Sequence, residues 1–147
     1  MDYDFYFKIF NTSVLLPWLM MLVLPTWRGT QFLLKYPIFP LILAVGYSIF
    51  IGVDLIGGTS EGMDFSSLES IKQLFTRDVV VLAGWIHYLA FDLFVGMWEL
   101  RDAQKHRIHH LLVVPCLVFT LMLGPVGLLL YFIIRAILLK KSIAVEA

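Results

Sequence analysis

What most constrains this chain is the spacing of its long apolar runs. Roughly 20 mostly apolar residues cross the hydrocarbon of a bilayer as a helix, and four runs of about that size follow one another here with little polar sequence between them. The first extends over residues 10–24, from Phe10 to Leu24, and stops before Pro25, with Trp27 and Arg28 as an interface mark. It carries Pro17, tolerable in a membrane helix whose neighbours satisfy the freed carbonyl. The second covers 38–56, with Pro37 and Pro40 at its start and Gly57-Gly58 at its stop. The third covers 78–100. The fourth covers 111–139, and Gly124-Pro125 in its middle predicts a kink. The expected fold is all-α, a four-helix transmembrane bundle in one domain over residues 1–147.

Composition agrees. Hydrophobic residues make up 60 % of the chain and charged residues 15 %, against about 45–50 % and 25 % in soluble domains, and the mean hydropathy is +0.86. The surplus apolar surface needs lipid. Basic and acidic residues balance at 11 each, so no excess charge points to nucleic acid and no polybasic tail to anionic lipid. Cys116 is the only cysteine, which excludes an intrachain disulfide and a cysteine zinc site; in its apolar run it reads as a small buried thiol. The opening Met1-Asp2-Tyr3-Asp4 lacks the basic start of a secretory signal, so the first apolar segment is read as retained.

The segment 57–77 is the longest loop. Phe65, Leu68, Ile71, Leu74 and Phe75 recur in it at helical spacing among polar residues, with Ser66 or Ser67 as caps. This predicts a short amphipathic helix lying at the interface, with a lid over a membrane-embedded site as the sharper reading. Four crossings place both termini on one side, with Lys8, Lys72, Arg77, Arg135, Lys140 and Lys141 there and Arg28, Lys35, Arg101, Lys105 and Arg107 on the other. Six against five does not decide the orientation; the denser basic charge of the two short loops favours both termini outside the cytoplasm. The expected location is the bacterial inner membrane, multi-pass.

Chemistry concentrates between Trp85 and His110. His87 lies about 14 Å along the third helix and Asp92 about 21 Å, and a carboxylate at that depth costs at least about 2.5–3.5 kcal/mol. Asp92 therefore needs an interior position and a partner, or a proton. At about 100° per residue Trp85, Tyr88, Asp92 and Glu99 share one stripe, while His87, Phe94, Trp98 and Arg101 share another. His87 and Asp92 are about 140° apart, too far round to chelate one ion from this helix alone. An Asp54–Arg135 ion pair between the second and fourth helices is a further expectation, either as a helix clamp or as part of the site. Asp102, His106 and His110 follow at i, i+4 and i+8, a spacing able to hold iron or zinc on a continuing helix; the plainer reading is solvated charge at the membrane surface. The tryptophans Trp18, Trp27, Trp85 and Trp98 read as belt and packing residues, or as walls for a flat polyene.

With these residues in view, FSSLESIKQLF (65–75), AGWIHYLAFDLFVGMW (83–98), Asp102 and IHHLLVVPCLVFTLMLGPVGLLLY (108–131) resemble the abscisic-acid-deficient-four-like membrane proteins of plants, cyanobacteria and other bacteria. Leu16-Pro17-Trp18 fits too. One departure is His109, where relatives often carry proline, so that His110 keeps the family position. The resemblance implies a carotenoid-related role, since plant members are required for making neoxanthin from violaxanthin. That conversion is a redox-neutral isomerisation in which an epoxide opens and a neighbouring carbon loses a proton. It needs a general acid and a base and no cofactor. His87 and Asp92 are the expected catalytic pair, with Trp85, Tyr88, Trp98, Asp54 and Arg135 as substrate-binding residues.

Two other functions compete. A metal-dependent membrane oxidase or cleavage enzyme acting on a polyene or lipid would use iron, drawing on His87, Asp92, Asp102, His106 or His110; the chain lacks the dense histidine boxes such enzymes carry. A non-enzymatic pigment-binding or accessory subunit would hold a carotenoid, or position a partner enzyme, and could use a homo-oligomer to enclose a long polyene. The expected partners are membrane lipid and a carotenoid, with no nucleic acid.

Overall fold

The computed structural model describes residues 1–57 and 64–139, and within them every regular element is an α-helix. The Gly58 helix stop, the opening of the 57–77 loop at 58–63, Lys140 and Lys141 lie outside the described residues. Three stretches are long and apolar enough to cross a membrane: Tyr3–Val23, Ile38–Ile56 and Asp78–Lys105.

The first is a pair, α1 (Tyr3–Ser13) and α2 (Leu15–Val23), broken only at Val14, which itself keeps helical dihedrals (φ −68°, ψ −22°). Pro17 offers no N–H to the carbonyl of Ser13 one turn back, which accounts for the break. This span begins at Tyr3 rather than Phe10, a correction with a local cause. Asp2 caps it, accepting from the Phe5 N–H at 3.0 Å, and Tyr3, Tyr6 and Phe10 pack on the core while Asp4 and Lys8 stay exposed.

A short helix, α3 (Arg28–Lys35), occupies what the sequence presented as a loop. Thr30 ties it back to α2 by donating to the Leu24 carbonyl at 2.6 Å. The second long helix is α4 (Ile38–Ile56), with the expected bounds. The amphipathic helix is α5 (Leu68–Leu74), and Ser67 is its cap, accepting from the Ser70 N–H at 3.1 Å. Just before it, the exposed Asp64 accepts from Ser66 and Ser70; the Ser66 contact contributes most to holding its carboxyl below the usual range. The third long helix, α6 (Asp78–Lys105), runs beyond Leu100 and carries Asp102 within it.

The fourth apolar segment departs most from expectation. It is not one kinked span but two helices, α7 (His110–Leu123) and α8 (Pro125–Leu139), of 14 and 15 residues. Gly124 between them takes φ +45° and ψ −95°, a left-handed backbone that glycine adopts without a Cβ penalty, and Pro125 suits the first position of a new helix. The chain turns back there. α7 starts beside the end of α6, its Leu121 carbonyl accepts from Tyr88 and its tip at Gly124 touches Asp92, while α8 returns until Arg135 meets Asp102. Each leg is about 21–23 Å long, short of the roughly 30 Å of a hydrocarbon core. The start of α1 and the end of α8 thus lie towards opposite ends of α6, which departs from the four full crossings expected.

The long helices meet through small residues. A Cβ on Gly46 would sit 2.8 Å from the Phe10 ring, and one on Gly96 would strike the Trp18 ring, which is 1 % exposed. Close backbone approach at glycine is the usual way for helices to pack where lipid removes the hydrophobic drive between them. Gly127 serves the hairpin in the same way, since a Cβ there would collide with the backbone of Thr120 on α7.

Candidate functional site

α6 passes through two quite different surroundings. In its first half, Val80, Gly84 and His87 face Tyr47 and Ile51 of α4, and Phe65, Leu74 and Phe75 around α5 close over them. Together they enclose a pocket of about 210 Å³. The His87 ring lies between Phe91 at 4.5 Å and Tyr47 at 5.7 Å, centroid to centroid. His87 remains exposed. Among the described residues of this wall, Tyr47 and His87 are the side chains able to exchange a proton. Towards the Asp78 end of the same α4–α6 interface, Asp54 is 2 % exposed and ion-paired with Arg77 at 2.9 Å.

In its second half α6 meets the hairpin, and here the wall is polar. Asp102 accepts from Tyr131 at 2.6 Å and from the Arg135 Nε at 2.7 Å, with His106 at 3.3 Å from its other oxygen. Glu99 is 0 % exposed and accepts from Thr120 at 2.9 Å, while its second oxygen has no hydrogen-bond partner among the described residues. Asp92 packs over the hairpin tip, 2.7 Å from where a Cβ of Gly124 would be, and one of its buried oxygens has no hydrogen-bond partner among the described residues. Its place at the start of α8 sets it against the positive end of that helix dipole.

The structure therefore does not join His87 to Asp92. One lines the α4–α5 pocket and the other sits on the hairpin tip. Nor does it bring together the five expected substrate-binding residues. Trp85 turns to α1, donating to Asn11 at 3.2 Å and packing on Phe7. Tyr88 donates to the Leu121 carbonyl. Trp98 packs edge-on against Tyr131. The expected Asp54–Arg135 pair is replaced by Asp54–Arg77 and Arg135–Asp102, because the folded-back α8 carries Arg135 to the other end of α6.

The Asp102, His106 and His110 set is divided as well. α6 ends at Lys105, Arg107 takes φ +55°, and His110 turns to the Leu22 carbonyl at 2.9 Å. Among the described residues no three His, Cys, Asp or Glu side chains gather as a metal site. Sequence reasoning missed Tyr47, Thr120 and Tyr131 as partners. Thr120 and Tyr131 had a signal, being polar groups inside an apolar run long enough to need an explanation.

The family described as ABA DEFICIENT 4-like matches residues 5–131. The chain is 28 % identical over 139 residues to "Protein ABA DEFICIENT 4, chloroplastic" of Arabidopsis thaliana, an alignment covering 90 % of this chain and 61 % of that protein. No solved structure matches it. A match over residues 5–131 takes in α5, the His87 pocket and the hairpin up to Tyr131, and on that ground the chain belongs to the ABA DEFICIENT 4-like family.

Proposed function

We propose that this protein is a membrane-embedded, carotenoid-acting isomerase that seats one end ring of its substrate against His87, in the pocket between α4, α5 and α6. The observation that carries the reading is an imidazole left exposed within an aromatic and aliphatic wall, beneath a short amphipathic helix. A pocket of about 210 Å³ suits a ring rather than a whole polyene; the rest of the molecule lies along the helices in lipid. The family resemblance supplies the reaction class. An epoxide C–O bond opens, its oxygen gains a proton, a neighbouring carbon loses one, and a new carbon–carbon π bond forms with no electrons gained or lost. An imidazole takes a proton at one nitrogen and gives one from the other, so His87 suits both halves. Asp92 then serves the hairpin rather than the ring.

In the membrane, α1–α2, α4 and α6 cross and the α7–α8 hairpin enters from the Lys105 end and returns. Arg28, Lys35, Arg101, Lys105 and Arg107 gather at that end, against Lys8, Lys72 and Arg77 at the other. By the positive-inside rule the Lys105 end is cytoplasmic and the start of α1 is not.

The test is expression in bacteria engineered to accumulate violaxanthin, zeaxanthin, β-carotene or lycopene, with pigments resolved by chromatography and mass. The expected result is a new pigment of unchanged mass from the epoxide host alone, lost in His87→Ala and retained in Asp92→Asn when both variants accumulate. A product that survives His87→Ala, or one shifted in mass by oxygen, would end this assignment.

A further inference from the structure

Away from His87, α2, α3 and the start of α4 enclose a larger groove of about 650 Å³. Leu16, Leu19 and Val23 form one wall, and Trp27, Phe32 and Tyr36 another. Among the described residues its lining contains no charged side chain. The amphipathic α3 explains how the groove arises. Thr30, Leu33 and Leu34 are buried on one side of it, so Phe32 and Tyr36 are left to face outward, 56 % and 44 % exposed.

The rim is charged. Arg28 and Lys35 are seven residues apart on α3, which places them within about 20° of each other on one edge of the groove-lining face. Both are exposed, and neither has a carboxylate partner among the described residues. Lys35 instead lies over the Tyr36 ring at 5.2 Å. An apolar slot with aromatic residues at its mouth and two unpaired cations on its rim matches a molecule with hydrocarbon at one end and a negative charge at the other.

We infer that the groove binds an anionic phospholipid of the leaflet at the Lys105 end, its acyl chain along Leu16, Leu19 and Phe32 and its phosphate on Arg28 and Lys35. The inference uses the membrane placement above but not the isomerase reading, and it adds a ligand site distinct from the His87 pocket. A zwitterionic lipid gains less at the rim, because its own cation competes for the same space. The hydrocarbon contacts are the same for both lipids, so the rim decides between them.

The experiment is native mass spectrometry of the delipidated protein in detergent, titrated with phosphatidylglycerol or with phosphatidylcholine of identical chains. Two basic side chains near the surface predict roughly 30-fold tighter binding of phosphatidylglycerol. That preference is expected to vanish in the double variant Arg28→Gln, Lys35→Gln, whose positions are exposed, and Leu19→Trp is expected to block both lipids by filling the slot. Equal affinity for the two lipids, a preference that survives the double variant, or unaltered binding to Leu19→Trp overturns the proposal. So does displacement of bound phosphatidylglycerol by a neutral polyene, which would make the groove a pigment site. Because the readout needs no turnover, failure of the isomerase reading leaves this result unaffected.

Discussion

The two halves of α6 share one helix and one depth scale, yet they are built on different principles. Around His87 the neighbours are apolar, the polar groups are few, and a pocket remains open between three elements. Around Glu99 and Asp102 the neighbours are polar and the space is filled, with Thr120, Tyr131 and Arg135 directed at carboxylates and His106 hydrogen-bonded to the Asp102 main-chain carbonyl at 2.9 Å. The first arrangement leaves a titratable group available. The second commits its groups to holding a hairpin in place. Depth alone marks both as functional, because any ionisable residue in hydrocarbon is costly. Only the neighbours separate a group kept accessible from a group used as a fastener.

This difference can be broken most decisively by topology. In a Cys116→Ala background, single cysteines at Asp4 and Glu69 are expected to react with an impermeant maleimide from one side, and cysteines at His109 and Leu138 from the other. If Leu138→Cys labels with Asp4→Cys, the fourth segment crosses after all and the fastened half of α6 is misplaced. Next in size is Arg135→Met. It strands Asp102 without its guanidinium and should cost about 3–5 kcal/mol, read as a shift in reversible unfolding in mixed micelles. Gly127→Ala should cost about 1–3 kcal/mol by overpacking, because two of the three obstructing atoms, the Thr120 N and the Cys116 carbonyl oxygen, belong to the α7 backbone. Gly52→Ala, with nothing within 4 Å of its Cβ, should be neutral or slightly stabilising and serves as its control. Thr120→Val removes the donor to Glu99 and should lose about 1–3 kcal/mol. His87→Ala should stay within about 0.5 kcal/mol of the parent while abolishing the product. A His87 variant that unfolds as readily as Arg135→Met would merge the two halves into one structural core.

Much of this architecture was legible in the residues. Continuous apolar sequence at 38–56 gave α4 its bounds, and the Ser67 cap with Leu68, Ile71 and Leu74 gave α5, since each depends only on local patterning. The hairpin was not read, although its length was a warning. A single helix from 111 to 139 would be about 43 Å long, well beyond one crossing, and Gly-Pro in its middle permits a reversal as easily as a kink. Whether the chain turns is decided by what α6 offers the returning leg, namely Asp102 for Tyr131 and Arg135, and that is a tertiary matter. The same reversal re-paired the ions, so Asp54 met Arg77. The His87–Asp92 separation was visible in helical phase; the identity of each residue's neighbours was not.

The hairpin also gives the molecule a shape. Placed in a bilayer as proposed, it presents three helical sections to one leaflet and five to the other, because α7 and α8 add their cross-section only on the Lys105 side. Such a body is a wedge. It displaces more lipid from the leaflet at the Lys105 end than from its opposite, relaxes lateral pressure unequally, and favours membrane that curves to accommodate its broader end.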